Sequence, residues 1–234
     1  MKYWFLFLCS IFLAGEAIAQ EPVNIAPTVI DSSYREDQIY IGLTFHVLGA
    51  LPGEVSQQGL SGGFHAGFIR DFPINKRRNI AIGTGLGWSI NTYGHELFVG
   101  QETGGATIFR DLNAQDVIYE TNRFSTQLVE APIEFRWRTS TPETYRFWRI
   151  YTGVRLGYIY NFKSNFKQEG NRVIQRDLPE LERFRIGTTF TFGYNTFNFH
   201  VYYSLNSFFR DAQLPDGTAV DVTTFKLGLM FYIL

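Results

Sequence analysis

Hydrophobic and polar residues alternate one by one along much of the chain, and the clearest case runs from Ile80 to Asn91. Its even-numbered positions, such as Ile82, Leu86 and Trp88, are apolar apart from one Thr, and its odd-numbered positions are small or polar. A period of two places successive side chains on opposite faces of a β-strand, whereas a helix would scatter both sets around its circumference. The pattern therefore predicts a strand with one apolar face and one polar face.

Seven further segments alternate in the same way, so the sequence predicts eight strands in total. Several are ten or more residues long, near the 9–11 residues that a tilted strand needs to cross a bilayer. Every glycine within them lies on the polar face. An eight-stranded barrel has an interior just wide enough to be filled by side chains, so glycines there leave room for Arg and Tyr from facing strands. The seven segments are 39–47, 63–68, 129–138, 150–160, 183–194, 197–206 and 225–233.

The connections between these segments alternate in length, as in outer-membrane barrels, which have long extracellular loops and short periplasmic turns. The pattern predicts an all-β fold, an eight-stranded antiparallel up-and-down transmembrane β-barrel over residues 38–234, with its N-terminus in the periplasm. The long connections are 49–60, 92–122, 164–182 and 208–222, and the short ones are 72–79, 139–148 and 195–196.

The alternative is a soluble secreted β-sandwich or lipocalin-like barrel, with its apolar faces turned inward. Strand length and glycine placement argue against it, because a water-facing surface would favour Lys, Glu and Thr over glycine. Aromatic residues near the predicted strand ends fit the girdles at the two interfaces of a membrane barrel. These residues are Trp88, Tyr93, Trp137, Phe147, Trp148, Tyr160, Phe162, Tyr194 and Phe197.

Residues 1–19 have the features of a secretory signal peptide. Lys2 precedes an apolar run from Trp4 to Leu13, and the small residues around Ala19 form a cleavage site. A membrane anchor is the alternative, but the run is much shorter than the roughly 20 residues that a spanning helix needs. We expect cleavage near Ala19, a periplasmic segment over 20–37 and localisation in the outer membrane. Cleavage also removes Cys9, the only cysteine.

Composition agrees with this interpretation. Charged residues make up 18% of the chain and aromatic residues 17%, with a formal net charge of −1. A typical soluble domain has about 25% charged residues. The aromatic content excludes intrinsic disorder, and the near-neutral charge offers no basic stripe for nucleic acid. We therefore expect no nucleic-acid partner.

Motifs for catalysis or cofactor binding are absent from the sequence. The glycines from Gly83 to Gly87 superficially suggest a phosphate-binding loop, but the alternation continues through Ile90, where such a loop requires a turn and a helix. The four histidines form no close ligand pair. No G-x-S-x-G motif is present. We therefore expect a non-enzymatic protein with no catalytic residues, no cofactor and no metal site.

Charged residues on the predicted inner faces come from neighbouring strands, and buried charges must pair or keep water. We interpret them as a structural salt-bridge network that fills the barrel, in preference to a conducting pore. Within it, we predict that Glu134 pairs with Arg155 on the adjacent strand. The predicted network comprises Glu130, Glu134, Arg136, Arg138, Arg155, Arg183, Arg185 and Lys226.

A cluster of basic residues lies in the first short turn, at Lys76, Arg77 and Arg78. It has two interpretations: a solvated basic turn, or a contact site for a periplasmic or envelope partner. The charge pattern alone does not choose between them.

Several segments resemble those of a known family of outer-membrane barrels. Leu128–Arg138 resembles the L-E-x-P strand typical of the PorT-like superfamily, and a glycine-centred strand, 151–157, follows it as expected there. Phe197–Asn206 looks like the penultimate strand of that superfamily, and Gly67–Gly83 is similar to the PorT (also SprT) family itself. The resemblance covers most of the mature chain. It implies an outer-membrane component of the type IX secretion and gliding machinery, without catalysis.

The expected function is thus a non-enzymatic, PorT-like component of type IX secretion. The expected partners are outer-membrane lipid, secretion-machinery proteins and, during biogenesis, the barrel assembly machinery. Two alternatives stay open. One is a stand-alone small outer-membrane barrel that acts as an adhesin or passive porin, and the other is a lipid-modifying barrel enzyme.

Overall fold

The computed structural model describes residues 37–102, 105–115, 117–139 and 146–233. The expected signal peptide and nearly all of the segment 20–37 lie outside these residues. No helix in the described ranges is long and apolar enough to cross a membrane. The strands are β1 (Gln38–Gly49), β2 (Gly62–Pro73), β3 (Ile80–Gly94), β4 (Leu97–Gln101), β5 (Thr107–Asp111), β6 (Thr121–Arg138), β7 (Trp148–Gln168), β8 (Asn171–Gln175), β9 (Phe184–Tyr194), β10 (Phe197–Ser204) and β11 (Thr223–Ile233).

Eight of the described strands close into a ring in which every neighbouring pair is antiparallel. The order around the ring is β1, β2, β3, β6, β7, β9, β10 and β11, and β11 pairs again with β1. The remaining strands lie at one end, where β4 pairs with β5 and β8 extends β7 as a hairpin. The prediction of a closed eight-stranded antiparallel β-barrel is therefore confirmed.

The two faces of each barrel strand differ as the alternation predicts. On β1, Phe45 has 54% of its surface exposed, whereas the next residue, His46, is fully buried. The apolar side chains point away from the barrel, and the polar side chains and glycines point into it. The interior is therefore the polar side of the sheet, the arrangement expected when lipid surrounds the outer surface.

Glycines on the inner face stand where a large side chain from another strand needs the space. A Cβ added to Gly67 or Gly87 would lie within 2.6 Å of the Tyr40 hydroxyl, and one on Gly187 would meet the Tyr202 ring at 2.3 Å. At Gly83 the clash would be with Cδ of Arg136, at 2.5 Å. The interior is filled by Arg and Tyr side chains because these glycines leave space for them.

The barrel has two unlike ends. We call the end with the connections β2–β3, β6–β7 and β9–β10 the turn end, and the opposite end the loop end. Strands β6 and β7 are much longer than predicted, because β6 begins at Thr121 and β7 continues to Gln168. Parts of the predicted loops 92–122 and 164–182 are therefore strands, including β4, β5 and β8.

Aromatic side chains mark two interfaces on the outer surface. Toward the loop end, the Trp88 indole donates to the Tyr160 hydroxyl at 2.6 Å, and that hydroxyl donates to Gln127 at 3.0 Å. Toward the turn end lie Trp137 and the exposed Trp148. Gln127 and Trp137 are ten residues apart on β6, which at about 3.3 Å per residue and a tilt of about 40° spans about 25 Å. This distance matches the apolar band of an outer-membrane barrel.

Three of the predicted girdle residues do not lie in either girdle. Tyr93, Phe147 and Phe162 are each no more than 2% exposed. Tyr93 and Phe162 belong to an apolar core at the loop end, and the Phe147 ring stacks against the Arg149 guanidinium at 4.4 Å. Tyr93 and Phe147 lie at strand ends as predicted, whereas Phe162 lies within β7, and all three side chains turn inward.

Candidate functional site

A cluster centred on Asp71 fills the interior at the turn end. Asp71 on β2 accepts hydrogen bonds from Arg136 through one carboxylate oxygen and from Arg138 through the other. Arg136 also donates to the Gln38 side chain on β1, and its guanidinium lies 3.9 Å from the centre of the Tyr151 ring. All three charged side chains are fully buried. Opposite charges and a cation–π contact offset their desolvation.

A second ionic group occupies the middle of the barrel. Arg155 on β7 lies 3.5 Å from a carboxylate oxygen of Glu130 and 3.7 Å from one of Glu134, both on β6. The predicted pair of Glu134 and Arg155 is therefore close in space. Glu134 also lies 3.8 Å from Nε of Arg136. The middle group is thus joined to the Asp71 cluster.

The chain of polar contacts continues toward the loop end. Glu130 accepts from the Ser89 hydroxyl at 3.0 Å, and the Asn91 amide donates to that same hydroxyl at 3.2 Å. Lys226 on β11 donates to Asn91 at 2.9 Å. We call this connected set, from Lys226 to Arg138, the lumen network. It links strands on opposite sides of the barrel along much of the membrane span.

Buried cations outside this chain are bonded to main-chain oxygens. Arg185 on β9 donates to the carbonyls of Ser207 and Asn206 and lies over the Phe208 ring at 4.0 Å. Arg149 donates to the carbonyl of Asn195 in the β9–β10 turn. These contacts tie a loop at one end and a turn at the other to the barrel wall.

Most of the charged residues predicted for the interior are buried there, with 4% exposure or less: Glu130, Glu134, Arg136, Arg138, Arg155, Arg185 and Lys226. Arg183 is an exception and corrects the prediction. It precedes the first residue of β9, remains one-third exposed and pairs with Asp177 at 3.1 Å. The alternation assigned it to the correct face, but the strand begins only after it.

Sequence reasoning missed Asp71 and Gln38. Asp71 continues the inner-face series of His65 and Gly67 on β2, so extending the alternation by four residues would have placed it inside. Gln38 stands one step before the first predicted strand residue on β1. Both residues lie just beyond the predicted ends of their strands.

Three of the four histidines are buried among inner-face hydroxyls. The Thr44 hydroxyl lies 2.9 Å from Nε2 of His46 and 2.8 Å from Nε2 of His65, and the Thr191 hydroxyl lies 2.8 Å from Nδ1 of His200. No group of three or more His, Cys, Asp or Glu side chains in the described residues is arranged to hold a metal ion. These histidines pack and hydrogen-bond within the barrel.

Side chains leave little space in the interior. A cavity of about 10 Å³ lies between Tyr93, Arg155, Arg185 and Tyr202, roughly the room that one water molecule needs. Toward the turn end, the ring of Tyr232 packs against Tyr151 and Tyr40. This packing fills the turn end of the described interior with aromatic rings.

Above the barrel, the long connections fold together around an apolar core. Phe124 lies at its centre, with ring centroids of Tyr93 at 4.8 Å, Phe208 at 5.1 Å and Phe162 at 5.7 Å. We call this assembly the cap. Its buried members are Leu48, Val55, Tyr93, Leu97, Val99, Phe109, Phe124, Leu128, Ile159, Phe162, Leu178, Leu181, Phe208, Phe209, Ala212, Leu214, Val220 and Val222.

Polar contacts fasten the cap segments to one another. The Asp111 carboxylate at the end of β5 accepts from the backbone N–H of Glu54 at 3.1 Å. Glu96 accepts from the Ser56 hydroxyl at 2.6 Å. The Asn122 amide donates to the carbonyl of Leu97 at 2.9 Å. The first and second loop-end connections are therefore fixed to each other.

His95 stands at the base of the β4–β5 hairpin and is 1% exposed. Its Nδ1 accepts from the backbone N–H of Leu97 at 3.2 Å, and its ring packs 5.0 Å from that of Phe124. Burial in this apolar setting lowers the pKa of His95 to about 4. The folded cap therefore holds a neutral imidazole.

The basic turn presents two of its three cations to solvent. Lys76 and Arg77 are exposed, whereas Arg78 is half-buried and has φ of +55°, and its carbonyl accepts from Arg138 at 3.0 Å. The Asn75 side chain donates to Asn79 at 2.6 Å and fixes the turn. Arg78 thus contributes to the structure, and Lys76 and Arg77 are available for contact.

Comparison with known proteins identifies the family. Residues 19–210 match the family described as outer membrane protein beta-barrel domain. The chain belongs to this family. A comparison with curated proteins finds no match. The family assignment and the closed barrel together place the protein in the outer membrane.

Among solved structures, the barrel is similar to two crystal structures of Ail, the attachment invasion locus protein of Yersinia pestis. One, a complex with the heparin analogue sucrose octasulfate, is 16% identical, with a TM-score of 0.34 over 85% of this chain and 99% of the other. The second has the same identity and a TM-score of 0.32, over 84% and 97% of the two chains.

Proposed function

We propose that the protein is a non-conducting, non-enzymatic outer-membrane barrel that displays its cap outside the cell as an attachment surface. The observation that carries the proposal is the apolar core of the cap, which holds the long connections in one fold. A preformed surface loses less conformational entropy on binding than flexible loops do. The long connections face the exterior if the N-terminus lies in the periplasm, as the sequence predicts.

The packed interior favours display over transport. An eight-stranded barrel encloses only enough room for its own side chains, and the lumen network occupies that room. A passive porin would need a continuous aqueous path. We expect purified protein in planar bilayers to show no steps of conductance under a membrane potential. Regular steps that depend on protein concentration would contradict the closed barrel.

The attachment role is tested by removing part of the cap and leaving the barrel. Replacing the β4–β5 hairpin by a short turn should abolish binding of barrel-expressing cells to the surfaces that intact protein binds. A variant with Lys76→Gln and Arg77→Gln alters the opposite end and serves as the control. Heat-dependent mobility on gels reports whether each barrel is folded. Unchanged attachment by a folded, hairpin-deleted protein would refute the role of the cap.

A second candidate function, support of type IX secretion, rests on the sequence resemblance of Leu128–Arg138 and Gly67–Gly83 to PorT-like barrels. The exposed cations Lys76 and Arg77 supply a surface on the periplasmic side for a secretion partner. Deletion of the gene should then block export of many secreted proteins, and co-purification from solubilised outer membrane should recover secretion components. Normal export in the deletion strain would exclude this function and leave attachment untouched.

A further inference from the structure

A basic face lies on the outer surface of the sheet that rises above the loop-end girdle. It consists of Arg123 on β6, Lys163 and Lys167 on β7, and Arg172 on β8. In the register of the sheet, Arg123 lies opposite Asn165, and Lys167 lies opposite both Thr121 and Arg172. The four cations therefore occupy one continuous patch across three neighbouring strands.

The direction of these side chains follows from the burial of their neighbours. Phe124, Phe162 and Phe166 point into the cap and are buried, so residues one position away point outward. Arg123, Lys167 and Arg172 are exposed, and Lys163 is half-buried. Nε of Arg172 donates to Oδ1 of Asn165 at 2.9 Å, which places both on the same face.

The basic face carries more positive charge than the acidic residues paired with it in the described structure neutralise. Glu120 pairs with Lys167, and both side chains are about half-exposed. Arg123 lies diagonally between Lys163 and Lys167, at the positions next to its direct partner Asn165. Like charges at neighbouring sheet positions repel. An anionic ligand would relieve this repulsion and gain charge-assisted hydrogen bonds.

The height of the face relative to the membrane narrows the choice of ligand. Lys163 lies opposite Ser125, which is two residues beyond Gln127 of the loop-end girdle on β6, or about 7 Å along a strand. The basic face therefore begins at the level of lipid headgroups, directly above side chains that face the acyl region. Asn161, Ser125 and Asn165 lie between the cations and offer amide and hydroxyl groups suited to sugar hydroxyls.

We propose that the basic face binds the phosphate groups of a phosphorylated glycolipid in the leaflet beside the loop end. The surface runs without a break from the girdle to the cations, so a lipid is placed with its chains against the barrel and its headgroup against Arg123 and Lys163. Guanidinium and ammonium groups are the side chains that pair with phosphate. The site lies on the outer wall and is separate from the cap surface proposed for attachment.

The test uses the full chain in detergent, titrated with bisphosphorylated lipid A and observed by native mass spectrometry. The variant Arg123→Gln, Lys163→Gln and Lys167→Gln should bind at least about tenfold more weakly, since it removes three cations that would form charge-assisted hydrogen bonds with phosphate. The matched control Lys76→Gln and Arg77→Gln removes exposed cations at the turn end and should bind like the unaltered protein. Equal binding by the triple variant would overturn the proposal.

A second comparison needs no variant and stands even if the triple variant fails to fold. Unaltered protein should prefer bisphosphorylated lipid A over the dephosphorylated lipid by about tenfold or more, a preference that weakens with added salt. Equal binding of the two lipids would show that phosphate is not recognised. Equal binding of the deacylated phosphorylated saccharide, or competition by inorganic phosphate at the same concentration as the lipid, would refute a lipid site. None of these results depends on cell attachment.

Discussion

The interior of the barrel and the interior of the cap are built on opposite principles within one continuous sheet. In the barrel, Arg136, Glu134 and Arg155 are buried among tyrosines and hydroxyls, and apolar side chains face outward. In the cap, Phe124 and Phe162 are buried and Arg123 and Lys163 face outward. Strand β6 passes through both regions with the same positions pointing inward, whereas on β7 a bulge at Tyr160 shifts the inward positions from odd to even residue numbers.

The difference follows from what surrounds each region. Apolar side chains on the barrel wall already contact lipid, so placing them inside the barrel would not stabilise the fold further. Water surrounds the cap, and the hydrophobic effect stabilises a conventional apolar core. We therefore expect the stability of the barrel to depend on its buried ion pairs, and the stability of the cap to depend on its buried aromatic rings.

The largest effect is expected from Asp71→Asn in the barrel. It leaves Arg136 and Arg138 without their shared carboxylate in a fully buried site. Loss of one partner of a buried ion pair costs about 3–5 kcal/mol. Urea-induced unfolding in lipid vesicles measures the change. Arg70→Gln, which breaks the exposed pair with Asp37, is the control and should cost less than about 1 kcal/mol.

Phe124→Ala should destabilise the cap by about 3 kcal/mol, because it opens a cavity where five aromatic rings of the described residues surround Phe124. Since the lumen network does not involve Phe124, the barrel should remain closed. Hydrogen exchange should therefore rise in β4 and β5 and stay slow in β1 and β11. Equal increases in both regions would show that cap and barrel unfold as one unit.

Gly83→Ala examines packing in the barrel. The added methyl group would lie 2.5 Å from Cδ of Arg136 and 3.0 Å from Ile69, and such overpacking costs about 2 kcal/mol. Gly157→Ala, whose nearest contact is a Leu128 methyl at 3.1 Å, should cost less because that side chain can move. Unfolding midpoints of the two variants provide the comparison, and a reversed order would contradict the assigned packing.

The smallest expected effect, taken over one pH unit, concerns the pH dependence of the cap. Burial lowers the pKa of His95 from 6.5 to about 4, so between these values the unfolded segment binds a proton more readily than the folded cap. The stability contribution is complete above about pH 6.5 and is lost as pH falls toward 4, by about 1 kcal/mol in the first unit. Relative to the intrinsic rate at each pH, amide hydrogen exchange in β4 should therefore become faster as the pH falls. His95→Gln should remove this dependence.

The barrel was predictable from sequence because the lipid-facing positions are almost uniformly apolar. The loop-end parts of β6 and β7 were not predicted as strands, because the outward and inward faces exchange polarity there. At Arg123 and Lys163 the outward positions become polar, and at Phe124 and Phe162 the inward positions become apolar. On β7 the alternation also shifts by one residue at the bulge at Tyr160. A prediction based on outward-facing apolar residues therefore ends each strand at this point, although the strand continues.

The sequence predicts which residues belong to the lumen network better than it predicts how those residues pair. Alternation assigns a residue to a face, but pairing depends on strand register and on side chains that cross the interior. Asp71 and Lys226 contact residues on strands that are not their neighbours in the sheet. The fold of the cap was also beyond the sequence pattern, since Val55, Phe109 and Phe209 come from three separate connections.

The bond between Lys226 and Asn91 joins positions 135 residues apart in the chain. It places the last strand in contact with the ionic chain that earlier strands have already assembled. Because β11 also closes the ring by pairing with β1, a chain truncated before β11 would expose the ionic chain along an open, charged seam.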